Sequence, residues 1–123
     1  MKQLLLVAHG SRHQASNDEI AGLAAELKPR GEFFFDRIDH AFLEFAAPTV
    51  AECIDQAVAD GVVDIVLLPY FLAAGSHVRR DLPEVVARKQ AEHPGVTIDL
   101  CPHFGAAGGV AELLLAVAMT RES

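Results

Sequence analysis

The stretch Leu4–Arg12, LLLVAHGSR, decides how the chain is to be read. Its first five residues form an unbroken apolar run, as a parallel strand covered on both faces requires; a half-solvated strand would alternate. The run stops at His9, Gly10, Ser11 and Arg12. Turns that follow a strand and open a helix often carry phosphate loops, but AHGSR has the spacing of neither G-x-G-x-x-G nor the P-loop. An imidazole stands where such loops line up backbone N–H groups.

Working outward, IVLLP at Ile65–Pro69 repeats the apolar run, giving a strand at Asp64–Pro69. Further strands are expected within Phe33–Leu43 and at Val96–Cys101, with the first at Gln3–Ala8. Helical spacing links them. Ile20, Leu23, Ala24 and Leu27 recur at i, i+3, i+4 and i+7; so do Val50, Cys53, Ile54 and Ala57, and Val110, Leu113, Leu114 and Val117. Pro48 suits a first helical turn, Gly61 a left-handed residue after a helix, and Asp81 with Glu84 a capping pair. HPG at His93–Gly95 ends the third helix. The alternation implies a three-layer α/β/α domain over residues 1–123, with a four-stranded parallel sheet in the order 2-1-3-4 and right-handed crossovers.

Composition narrows the class. Of 123 residues, 51% are hydrophobic and 22% charged, the profile of a globular domain. The formal charge of −7 repels nucleic acid. No apolar run is long enough to cross a bilayer, and no leader pattern is seen, so a cytoplasmic protein is expected. Cys53 and Cys101 form no CxxC motif and read as reduced thiols. Any anionic ligand must be held locally, with Arg79, Arg80 and Arg12 as the available cations.

Ligands of open α/β sheets bind beyond the carboxyl ends of the strands, where the strand order reverses. His9 follows the first strand, Glu44 the second, and His77 lies in a long segment after the third. In the order 2-1-3-4 these ends are neighbours, about 4.8 Å per strand step. Two imidazoles and a carboxylate suit a borderline divalent ion such as Co²⁺, Fe²⁺, Ni²⁺ or Zn²⁺, with coordination positions left open. Each residue singly has a plainer reading as a solvated or hydrogen-bonded group. His13, His40 and His93 are assigned structural roles, His93 at the negative end of the third helix. His103, behind the fourth strand, stays open between ligand and bystander.

LLLVAHGSRHQASN, FLEFAAPTV, IVLLPYFLAAGSHVRRDLPEVV and HPGVTIDLCPHFG, in this order, resemble the CbiX/SirB group of class II chelatases in its short, single-half form. The resemblance runs over nearly the whole chain. It implies insertion of Co²⁺ or Fe²⁺ into sirohydrochlorin, towards cobalamin or sirohaem, without ATP or an organic cofactor. It maps the metal-contacting histidines onto His9 and His77 and the acidic partner onto Glu44. His103 departs from the family pattern. Gly10 is then expected to let the turn lie beside a flat ligand, and Ser11, Arg12, Arg79 and Arg80 to bind peripheral carboxylates. Longer members have two facing halves, so a homodimer is expected to supply the second wall. Competing readings are a Co²⁺ or Ni²⁺ delivery protein using the same histidines, a flavodoxin-like interaction domain, and a histidine phosphatase. Ala8 stands where such a phosphatase favours arginine.

Overall fold

The computed structural model of the chain describes residues 1–73 and 75–121, and of His77 its backbone. The elements follow in the order β1 (Lys2–Ala8), α1 (Gln14–Gly31), β2 (Arg37–Phe42), α2 (Val50–Ala59), β3 (Asp64–Pro69), α3 (Ser76–Glu92), β4 (Thr97–Leu100) and α4 (Val110–Ala118), with a 3-10 turn at Phe104–Ala106 before α4. The four strands form one parallel sheet in the order β2-β1-β3-β4. Strand order reverses at β1, as expected from the sequence.

The main core lies on the face that α2 and α3 cover. Leu5, Val7, Ile54, Ala57, Ile65, Leu67 and Leu82 are sealed there with Phe71 and Val78. α1 covers β1 and β2 on the other face, where Leu6, Ala8, Ala24, Ile38 and Phe42 are buried. Double coverage explains why LLLVA needs no polar alternation.

Two helix starts lie elsewhere than the sequence predicts. α2 begins at Val50 behind the N-cap Thr49, whose hydroxyl accepts from the Glu52 N–H at 3.2 Å while the Glu52 carboxylate accepts from the Thr49 N–H. This reciprocal box satisfies two orphan donors, and Pro48 precedes it. α3 begins at Ser76, so Asp81 and Glu84 lie inside the helix and His77 occupies its first turn. Val78 and Leu82, one turn apart, are buried at 5% and 1% exposure. Their packing holds these turns helical although Pro83 removes a hydrogen bond worth keeping.

α2 and α3 are clamped at one edge. Lys89, 7% exposed, donates to Asp55 at 2.9 Å and Glu92 at 2.8 Å, and His93 lies 3.0 Å from Asp55. Hydrogen bonds from His93 and Lys89 hold the Asp55 carboxyl below its usual range; those to Glu92 and Asp55 raise the Lys89 ammonium. The clamp is therefore complete between the two titrations: it opens in acid as Asp55 protonates and in strong base as Lys89 loses its charge.

α4 differs. Its sequence has core-like spacing, yet none of its residues is buried. Leu113, Leu114, Leu115, Val117 and Met119 are 55%, 61%, 68%, 62% and 75% exposed. Among the described residues, no helix is long and apolar enough to cross a membrane.

Thr49→Ala removes the hydroxyl half of the α2 cap and should lower stability by about 1 kcal/mol. The check is a reduced urea midpoint at unchanged denaturant slope.

Candidate functional site

The site begins where β1 and β2 run out. The Leu43 N–H donates to the Ala8 carbonyl and the Glu44 N–H to the His9 carbonyl, both at 3.0 Å. Parallel pairing thus continues past the named strands and sets Glu44 beside His9. On the other flank the Tyr70 N–H donates to the Val7 carbonyl at 2.7 Å. The rim of β2, β1 and β3 is therefore tied by backbone bonds.

Gly10 is what permits the close approach. Its φ is +91°, a region other residues seldom adopt, and a Cβ there would stand 1.8 Å from the Glu44 carbonyl oxygen. The family resemblance implies a place for this glycine beside a flat ligand. The structure gives it first to the neighbouring backbone.

The His9 side chain is exposed and lies against the buried Phe71 ring, centroids 4.6 Å apart and planes tilted by 43°. The Phe71 ring gives the exposed imidazole an apolar neighbour on one side. Glu44 is half-buried. The next residue, Phe45, has φ +66° and is 55% exposed, and the Arg12 guanidinium sits 4.7 Å from its ring centroid. That cation–π contact holds Arg12 at the same edge as Glu44.

Ser11 is pinned by α1. Its N–H donates to Asn17 Oδ1 at 2.9 Å, its carbonyl accepts from Asn17 Nδ2 at 2.7 Å, and its hydroxyl oxygen accepts from the His13 N–H at 3.0 Å. The hydroxyl proton still has its own bond to give. Asn17 is only 7% exposed, so the turn is anchored from inside the domain.

The structure thus gathers His9, Gly10, Ser11, Arg12 and Glu44. The His77 side chain lies outside the described residues; its backbone follows β3 directly, in the first turn of α3. Arg79 is exposed and lines a shallow pocket with Pro69, Leu82, Cys101 and His103. That pocket gives His103 an address near the β3 and β4 ends. Arg80 turns to Asp81 at 3.6 Å, an exposed pair of little energetic weight.

Phe71, Phe45 and Asn17 were not singled out from the sequence, although each stands in a quoted motif. The available signal was an aromatic just past a strand end: Phe45 next to Glu44 in FLEF, and Phe71 two residues after Pro69 in LPYF.

One other group of metal-ligating side chains occurs among the described residues: Asp55, Glu92 and His93 have ligand atoms within 4.8 Å of one another. His93 is 16 residues beyond His77, about 24 Å along α3. The Lys89 ammonium already bridges its two carboxylates. This group is the α2–α3 clamp.

A half-domain of this topology, with an imidazole and a carboxylate at the switch point, is of the chelatase type. The CbiX protein of Marinobacter aquaeolei VT8, named for cobalamin biosynthesis, superposes with a TM-score of 0.80 at 31% identity, over 97% of this chain and 95% of that one. SirB of Bacillus subtilis subspecies spizizenii, solved with cobalt, gives 0.82 at 24% identity over 96% of this chain and 50% of its own, a likeness of fold. The CbiX family model matches residues 3–120, and the chain belongs to the CbiX family. The sirohydrochlorin cobaltochelatase of Sulfurisphaera tokodaii is 32% identical over 114 residues, 93% of this chain and 88% of that protein. The enzyme of the same name from Methanococcus aeolicus is 32% identical over 92 residues, 75% of this chain. The match spans only 63% of that relative's length, and 64% of the one from Methanocaldococcus jannaschii.

Gly10→Ala forces both a left-handed alanine and a collision with the Glu44 carbonyl. A stability loss of roughly 1–3 kcal/mol is expected, read by urea unfolding; an unchanged midpoint would show that the β1–β2 extension yields freely.

Proposed function

We propose that this chain inserts a divalent metal, Co²⁺ in the first place, into sirohydrochlorin without a nucleotide. The observation that carries the reading is the pairing of His9 with Glu44 across the β1–β2 rim, joined by the Glu44 N–H bond to the His9 carbonyl. Membership of the CbiX family and the shared name of the Sulfurisphaera and Methanococcus relatives support the substrate and the preference for cobalt over Fe²⁺ or Ni²⁺.

Metallation takes two protons from pyrrole nitrogens and strips water from the incoming ion. A neutral imidazole binds a borderline cation through its lone pair, and the same lone pair can receive a proton. His9, seated on Phe71, meets the ion with its ring direction already set, so little orientational freedom is lost on binding. His77, at the adjacent strand end, is the second imidazole of this reading. Glu44 balances the ion's charge and accepts a pyrrole proton. The open rim leaves the ion's remaining positions to water and then to the macrocycle.

The substrate's carboxylates fall to the cations around the rim. Arg12, steadied on Phe45, offers a planar fork of donors suited to a carboxylate, and Ser11 offers its hydroxyl. Arg79 and Arg80 extend this set past β3. These local charges work against a chain of formal charge −7. The macrocycle is wider than one rim, and a second copy of the chain supplies the facing wall. A cytoplasmic setting fits the metal-handling role.

His9→Ala and His77→Ala should each lower turnover at least tenfold, measured as the absorbance change of sirohydrochlorin with Co²⁺. Wild-type rates in both variants would remove the imidazoles from the reaction. Retained metal binding without any turnover in the wild-type chain would favour a delivery protein instead. Arg79→Ala/Arg80→Ala should raise KM several-fold with kcat nearly unchanged, a split that separates substrate anchoring from the chemistry.

A further inference from the structure

α2 packs on the middle of the sheet, where Ile54 and Ala57 join Leu5 and Val7 in the core. Between α2 and the edge strand β2 it leaves a cavity of about 390 Å³. Gln3, Arg37 and Asp39 line it from the strands, and Glu52, Cys53 and Gln56 from α2. The register accounts for the strand side. Gln3 pairs with Arg37 and Leu5 with Asp39, so these side chains leave the same face of the sheet.

Gln3 is the anomaly. It stands at the head of an apolar run and is 2% exposed. Its Nε2 donates to Asp39 Oδ2 at 2.8 Å, while its buried Oε1 accepts from none of the described residues. The opposite amide orientation would set oxygen against the Asp39 carboxylate, so the acceptor is the group left over. A buried acceptor without a donor is costly.

The rest of the lining also accepts more than it gives. One Glu52 oxygen accepts from the Thr49 N–H, and the other keeps its lone pairs. The Gln56 amide donates to Asp60 at 2.9 Å and keeps its carbonyl. Arg37 is taken up by Asp60 at 2.8 Å and Asp39 at 3.8 Å, and Lys28 comes to 4.0 Å from Asp39. Two cations thus face three carboxylates, Asp39, Asp60 and Glu52, which leaves one negative charge. The thiol registers the same field. Burial first, then Asp39 and Glu52, push Cys53 up to about 11 against the pull of Arg37. It stays a neutral S–H that donates to the His40 carbonyl at 3.6 Å.

We propose that this cavity binds a free, small primary amine, whose ammonium donates to Gln3 Oε1 and the Glu52 carboxylate while its carbon chain lies along Pro48 and Cys53. An ammonium brings three donors, no acceptor and one positive charge, which is what the lining lacks. An anion would be repelled by Glu52, and an alcohol would leave the charge unanswered. The volume falls in the range of small-molecule sites and is more than one lysine arm of a partner protein would fill. His9, Ser11, Arg12 and Glu44 take no part, so the site stands whatever the rim catalyses.

The test is titration of the isotope-labelled intact chain with n-butylammonium, followed by NMR. The side-chain amide signals of Gln3 and Gln56 should shift together and saturate, with a Kd on the order of 1 mM. Tetramethylammonium has the charge without N–H groups, and n-butanol the chain without charge; each should bind roughly fivefold more weakly. Glu52→Gln keeps a capping side chain for α2 but removes the charge, and Gln3→Met keeps the length but removes the acceptor. Each should weaken n-butylammonium roughly tenfold. Should Gln3→Met lose its far-UV spectrum, Glu52→Gln decides alone. The proposal is overturned by the lack of a saturable shift up to about 20 mM, which would leave the Gln3 oxygen to water. Equal binding of tetramethylammonium, or undiminished binding in Glu52→Gln, would overturn it too. So would shifts centred on His9 and Glu44, or a tighter hold on lysine within a short peptide, which would hand the cavity to a protein side chain.

Discussion

Two backbone hydrogen bonds just past the ends of β1 and β2 hold the rest of the site in place. Through them the Ala8 and His9 carbonyls accept from Leu43 and Glu44, and a basic and an acidic side chain come to share one edge although 35 residues separate them. The approach is possible only because residue 10 has no side chain. The His9 ring is then fixed by Phe71, which comes from the end of β3, and the Ser11 turn by Asn17, which comes from α1. Each contact brings in a different element, so the geometry of the rim is a property of the whole sheet.

The chemistry follows from what this frame leaves exposed. Had the turn after β1 presented a row of backbone N–H groups, it would hold an anion. Here the N–H of Ser11 is occupied by Asn17, and a side-chain nitrogen pair is offered in its place. On the proposed reading, the imidazole beside Phe71 takes the cation and the guanidinium resting on Phe45 takes the anionic periphery of the ligand. The two roles sit side by side, as the proposed joining of a metal ion to a polycarboxylate requires.

Much of this was legible in the residues. LLLVA and IVLLP could only be strands covered on both sides, and the alternation with helical spacing fixed the layer order and hence the neighbours of His9. Helix boundaries were less legible. T-x-x-E at Thr49–Glu52 is the cap of α2, while Pro48, one residue earlier, also suits a helix start. The start of α3 depended on the burial of Val78 and Leu82, a tertiary fact that outweighs the local signals of Asp81 and Pro83. Val110 to Ala118 reads as a core helix because periodicity reports amphipathic character and says nothing about burial, and none of its residues is buried. The roles of Phe71 and Phe45 were hidden for a related reason: an aromatic beside a ligand looks like any other core residue until its ring is placed.

The apolar middle of β1 carries a cost in information. Leu4, Leu5, Leu6 and Val7 are so alike that sliding the strand by one step would still set hydrocarbon against hydrocarbon, and hydrophobicity alone barely polices the alignment. Correct alignment is enforced at the two polar extremities. At one, the Lys2 N–H donates to Asp36 and the Gln3 amide to Asp39, both at 2.8 Å; at the other, the bare α-carbon of Gly10 fits under a single carbonyl. A displaced strand would forfeit both ends together and carry its terminal imidazole to the wrong side of the sheet. Proofreading of the fold and placement of the His9 imidazole are thus the same event.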